Sequence, residues 1–170
     1  MTCTENASAT STELTADYEK TIGFKADPGA AFDALTELSG LSAWWTRATG
    51  SGDAGRELQF RFDAPDPCVM RVDQATRSTA VQWTVTACNF LPEWVGTRPV
   101  FTITPVDRDT TEVHFRHHGL TPNLECIDMC TRGWDHFLES LRQYVEVGRG
   151  MPYGSDVDQA RRVRQTHDHE

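Results

Sequence analysis

Apolar residues recur along this chain with two different periods, and the switches between them outline its elements. Over residues 18–26, Tyr18, Ile22 and Phe24 share one parity while Glu19, Thr21 and Lys25 share the other, the two-residue period of a strand. Asp27-Pro28 then reads as a helix start, an N-cap carboxylate followed by a proline at the first helical position. Ala31, Phe32, Leu35 and Leu38 continue at helical spacing, and Gly40 is the expected stop. A second short helix, over about 41–47, carries the adjacent Trp44 and Trp45 and leads into the glycine-rich loop TGSGDAG.

Five strand-like runs follow. ELQFRF places Leu58, Phe60 and Phe62 on one face, and TAVQWTVTA does the same with Val81, Trp83 and Val85. In CVMRVDQA, Val69, Arg71 and Asp73 oppose Met70, Val72 and Gln74, and the pattern leaves open which set turns inward. TRPVFTITPV and TTEVHFRHHG are joined by the hairpin-like turn Asp107-Arg108-Asp109. In the second of them Val113, Phe115 and His117 take the inward parity, His114 and His118 the outward one. Runs this closely spaced pair antiparallel. A long helix is expected over about 123–147, with Asn123 as N-cap and Gly148 and Gly150 as stop; Trp134, Phe137, Leu138, Leu141 and Val145 form its apolar stripe. The order predicts an α+β domain of the helix-grip kind. A curved six-stranded antiparallel sheet wraps the long C-terminal helix, and two short helices after the first strand close one end. Residues 1–15 and 151–170 read as polar tails, the first disordered, with the domain over 16–150.

Charge narrows the partners. With 16 basic against 25 acidic residues, the net charge of −9 repels phosphate backbones and anionic lipid, so neither nucleic acid nor a membrane is expected. The start is polar and lacks a signal-type apolar run, which points to the cytoplasm. The five cysteines, Cys3, Cys68, Cys88, Cys126 and Cys130, are odd in number and scattered, so they are read as reduced thiols.

Three segments together resemble a known family. ADPGAAFDALTELSGLSAWW, EWVGTRPVFTITPVDRDTTEVHFRHHGL and GWDHFLESLRQYVEVGRGMP look like the first-helix pair, the last hairpin and the long helix of the START-like (SRPBCC) superfamily, in the branch of the heat-shock chaperone ATPase activators. The resemblance covers about residues 17–153. It implies a helix-grip fold with a cavity between sheet and helix, in a bacterial, stress-response setting. Members bind lipids or other apolar ligands, cyclise or dehydrate polyketides, or assist a chaperone, so the fold alone does not fix the activity.

The leading expectation is therefore binding of a small apolar ligand, aromatic, lipid or polyketide-like, in that cavity. A cofactor-independent cyclase or dehydratase and a chaperone-binding module are the alternatives, and the protein is expected as a monomer or homodimer. Candidate cavity residues are Trp44 or Trp45, Phe60, Phe62, Trp83, Phe101, Phe115, Trp134, Phe137 and Leu141. An inward Arg71 would favour a carboxylate-bearing ligand, while an outward one is a surface charge. His117 is the candidate general base of the enzyme reading; its structural alternative is a hydrogen bond to a neighbouring loop or helix end. Cys126 and Cys130 are one helical turn apart but lack a convincing set of further ligands, so no metal is expected. No phosphate-binding glycine loop, nucleophile elbow or Cys-x-x-Cys is present, and no cofactor is expected.

Overall fold

The computed structural model describes residues 16–168. Its strands are β1 (Tyr18–Phe24), β2 (Ala48–Gly50), β3 (Glu57–Phe60), β4 (Cys68–Thr76), β5 (Ala80–Ala87), β6 (Arg98–Pro105) and β7 (Thr111–His118). They form one open antiparallel sheet in the order β1-β7-β6-β5-β4-β3-β2. The sheet thus has seven strands and not the six expected. The extra one, β2, has three residues, too few for alternation to show. Register shifts in the β4–β5 pair, between Val69 and Met70 and between Val72 and Gln74, are the irregularities that bend such a sheet.

Four helices accompany the sheet: α1 (Pro28–Thr36), α2 (Leu38–Trp44), α3 (Ile127–Val147) and α4 (Asp156–Asp168). Asp27 caps α1, its Oδ1 accepting from the Ala30 N–H at 2.8 Å. Gly40, expected to end the first helix, lies inside α2 instead. A Cβ there would sit 3.0 Å from the Ala34 Cα, so the missing side chain is what lets the two helices touch. The long helix starts at Ile127 and not near Asn123, because its cap comes from elsewhere in the chain. Glu93, in the 3-10 turn Pro92–Trp94, accepts from the Glu125 and Cys126 N–H groups at 3.2 Å each. Its negative charge also faces the positive end of the helix dipole. Gly148, left-handed at φ 80°, closes the other end.

The sheet's concave face and the α3 stripe form the core. Phe60, Met70, Val72, Trp83, Phe101 and Phe115 are fully buried from the sheet, as are Leu138 and Leu141 from the helix. Truncating a large aromatic in such a core costs roughly 3–5 kcal/mol. Residues after 150, expected as a polar tail, return to the domain. The Met151 N–H donates to Ser140 Oγ, and the Tyr153 N–H to the Trp45 carbonyl at 2.6 Å. Gly150 makes this approach feasible, since a Cβ there would meet the Ala43 carbonyl at 2.7 Å. The helix that follows is held by charge more than by apolar area. Asp158, fully buried, accepts from the Gly154 N–H, Arg161 and Arg162.

Candidate functional site

A cavity of about 610 Å³ opens at one end of the molecule. Its walls come from four places: the exit of α2 (Trp45), the chain just past β3 (Phe62), the β5–β6 connection (Cys88, Phe90, Leu91, Trp94), and the first half of α3 (Met129 to Phe137). The returning segment supplies Tyr153, Arg161 and Arg162 as the remaining side. The size suits a small organic ligand.

Trp44 and Trp45 divide the labour. Trp44 is fully buried and donates its indole N–H to the Ala34 carbonyl at 2.7 Å, tying α2 to α1. Trp45 faces the cavity. Its ring packs 5.1 Å from Trp134 and 5.8 Å from Phe62, and Phe62 in turn meets Tyr153 edge-on at 5.2 Å. Trp94 stacks on Trp134 at 6.1 Å with the planes 3° apart. The wall is thus a continuous aromatic surface of the kind that takes flat apolar groups.

His117 lies beneath this wall and outside the cavity. Trp134 donates to its Nδ1 at 3.0 Å, which makes Nε2 the protonated nitrogen. That Nε2–H donates to Thr97 Oγ1 at 2.8 Å, and the Thr97 hydroxyl donates to the Trp94 carbonyl at 2.6 Å. Burial pushes the imidazole pKa down to about 3, so the ring is neutral. Both nitrogens are occupied, and the ring holds Trp134 and the Trp94 turn in position. As a candidate general base it is corrected by this geometry: no lone pair faces the cavity.

Other expected cavity residues also lie elsewhere. Phe60, Trp83, Phe101, Phe115 and Leu141 pack as core behind the wall, because their strand and helix positions point to the middle of the grip and not to its open end. Arg71 is on the outer face, its Nε 2.7 Å from Asp73 Oδ1, since Met70 and Val72 take the inward parity. Trp45, Phe62, Trp134 and Phe137 are the sequence candidates that line the cavity. The loop residues Phe90, Leu91 and Trp94 and the residues after 150 were not among them, because loops carry no period. Met129, Gly133 and Phe137 fall at i, i+4, i+8 on α3, a signal that was available but overshadowed by the core stripe.

Two thiols complete the lining. Cys88 and Cys68 adjoin the Val69–Ala87 pair of β4 and β5, and the interaction of the two thiols lowers the Cys88 pKa and raises that of Cys68. Cys130 accepts from the Trp94 indole N–H at 3.2 Å. Among the described residues, no three His, Cys, Asp or Glu side chains cluster to hold a metal ion. Among the same residues, no helix is long and apolar enough to cross a membrane.

The family model described as activator of Hsp90 ATPase homolog 1-like protein matches residues 25–146. The chain belongs to that family. The solution structure of the Aha1 dimer from Colwellia psychrerythraea is 31% identical, covers 79% of this chain and 98% of that one, and superposes with a TM-score of 0.69. CalU16 from Micromonospora echinospora shares the fold at 14% identity, with 84% of this chain and 81% of that one covered and a TM-score of 0.60. DynU16, of the dynemicin biosynthetic locus, shares it at 17% identity and a TM-score of 0.61, over 78% of this chain and 48% of that one. No curated protein matches the chain. This member of the activator-like family therefore has the family's helix-grip fold, with the aromatic cavity set at the open end of the grip.

Proposed function

We propose that this protein binds a small, flat, largely apolar ligand in the cavity between the start of α3, the β5–β6 connection and the residue 151–162 segment. The observation that carries the reading is the cavity wall itself: Trp45, Phe62, Trp94, Trp134, Phe137 and Tyr153 present aromatic faces to a space of about 610 Å³. Trp45 adds a polar handle. An indole N–H at the cavity wall gives an otherwise apolar ligand a hydrogen-bond donor.

Gly133 offers a clean test. It lines the cavity, and a Cβ added there meets nothing within 4 Å. Gly133→Leu should fill the space while favouring the helix by roughly 1 kcal/mol. Titration with N-phenyl-1-naphthylamine, followed by fluorescence, should show saturable binding to the natural protein and little to the variant, with no loss of thermal stability in the latter. Equal binding to both would sink the reading.

The family description favours a second reading, an interaction module that stimulates a chaperone ATPase. It predicts a measurable rise in the ATPase rate of an Hsp90-type chaperone on adding this protein, unaffected by Gly133→Leu. An unchanged rate would remove it.

A further inference from the structure

Near its end, β5 has one residue more than β4 can match, and the surplus turns a thiol inward. Met70 lies opposite Val85 and Val69 opposite Ala87, so Thr86 is the extra residue of a bulge. Before it, Val81, Trp83 and Val85 are buried; after it, Ala87 is exposed and Cys88 is buried. One step past the Val69–Ala87 pair, the same register sets Cys68 against Cys88. Both thiols are in the core, at 1% and 2% exposure. Hydrogen bonds tie the two segments together on either side of them. Thr86 Oγ1 donates to the Val69 carbonyl at 3.3 Å, and Asn89 Nδ2 donates to Asp66 Oδ2 at 2.8 Å. Opposed residues of antiparallel chains have their Cα atoms about 4.5–5.5 Å apart, inside the span that a disulfide bridges. The two sulfurs are not equivalent. Cys88 lines the cavity together with Phe62, Phe90 and Leu91, whereas Cys68 lies behind it. Their interaction lowers the Cys88 pKa and raises that of Cys68, so the thiolate forms first on the cavity side. Cys130 lines the same cavity, but burial pushes its thiol up.

We propose that Cys88 and Cys68 form an oxidative modification site: a hydroperoxide with an apolar body enters the cavity and oxidises Cys88, and Cys68 resolves the product into a cross-strand disulfide. The Cys88 thiolate attacks one oxygen of the peroxide and the O–O bond breaks. The leaving alkoxide takes up the proton that Cys88 released and departs as the alcohol, and Cys88 is left as the sulfenic acid. The Cys68 sulfur then attacks the Cys88 sulfur. The S–S bond forms as the S–O bond breaks, and the departing hydroxide combines with the Cys68 proton as water. The two sulfurs lose two electrons and the hydroperoxide gains them. An apolar peroxide is favoured over hydrogen peroxide because the approach to Cys88 runs along aromatic and aliphatic side chains. The bridge fastens the start of the β5–β6 connection, and with it the Phe90, Leu91 and Trp94 wall, to β4. The inference needs the cavity to admit a small molecule and does not need it to retain one.

Mass spectrometry of the full, reduced chain after treatment with cumene hydroperoxide tests this. The intact mass should fall by two hydrogens, and dithiothreitol should restore it. Digestion with trypsin should yield the peptides 62–71 and 78–108 joined through Cys68 and Cys88. Dimedone added with the peroxide should divert part of the natural protein to a Cys88 adduct and all of Cys68→Ala, while Cys88→Ser should give neither adduct nor bridge. Cumene hydroperoxide should outpace hydrogen peroxide at equal concentration, and Gly133→Leu, which fills the cavity, should erase that advantage. A bridge that includes Cys3, Cys126 or Cys130, a dimedone adduct on Cys130 ahead of Cys88, or a Cys88 that stays reduced would each overturn the proposal. So would equal rates with the two peroxides, since Cys88 would then not be reached through the aromatic cavity.

Discussion

His117 shows how far one residue's meaning depends on its neighbours. As a sequence position it is an inward histidine at a strand end, more in keeping with a hydrogen-bonded support than with a general base. Its two hydrogen bonds decide for support, and they set a pH dependence. The folded pKa is depressed to about 3, against about 6.5 in an unfolded chain. Between those values the unfolded state binds the extra proton. Stability contributed by the neutral ring is therefore complete above about pH 6.5 and is lost as the pH falls toward 3, at up to about 1.4 kcal/mol per unit. Replacing it by Gln should lower the melting temperature at pH 7 and flatten the decline between pH 7 and 5. Thermal melts of the two proteins at both pH values check this, and parallel curves would contradict it. His136, half-buried and also lowered by desolvation, acts in the same direction in both proteins and so drops out of the comparison.

At the scale of elements, most of the architecture was legible in the sequence, and what was missed has a common cause. Strand parity in Phe101, Phe115 and His117 and the α3 stripe from Trp134 to Leu141 are repeated signals, and they gave the sheet and helix correctly. Gly40 and Asn123 were misread because each depends on a contact outside its own helix, Ala34 of α1 against Gly40 and Glu93 against the α3 N-terminus, while β2 is too short for alternation to show. The same holds for the cavity, whose loop residues Phe90, Leu91 and Trp94 have no period to betray them. Glu93 gives a prediction at this level. Glu93→Gln keeps the length but loses the charge facing the helix dipole, and Glu93→Ala loses the cap as well. The expected losses are about 0.5 and 1–2 kcal/mol by urea unfolding. A reversed order would mean that the carboxylate is not acting as a cap.

For the whole molecule, the decisive feature is the return of the chain after Gly150. The 151–162 segment closes one side of the cavity and supplies Arg161 and Arg162 to its lining, and its anchor is buried charge. Removing one partner of such a group typically costs 3–5 kcal/mol. Here the cost should fall mainly on the docked segment, since the core stripe and sheet do not depend on it. Asp158→Asn should therefore speed amide hydrogen exchange over residues 151–164 and expose Arg161 and Arg162 to trypsin, while exchange in β5, β6 and β7 stays slow. Faster exchange throughout the sheet would show that the segment supports the entire fold.

The tryptophans carry a consequence in optical terms. The chain has five of them, and neighbouring pairs link them all: Trp44 with Trp45, Trp45 with Trp83 and Trp134, and Trp134 with Trp94, at centroid separations between 5.1 and 6.1 Å. Indoles this close exchange excitation faster than they emit. The protein should therefore fluoresce as one chromophore with its outlet at the cavity wall. A quenching guest that touches Trp45 or Trp94 would dim the emission of all five, giving the molecule a built-in, label-free gauge of occupancy.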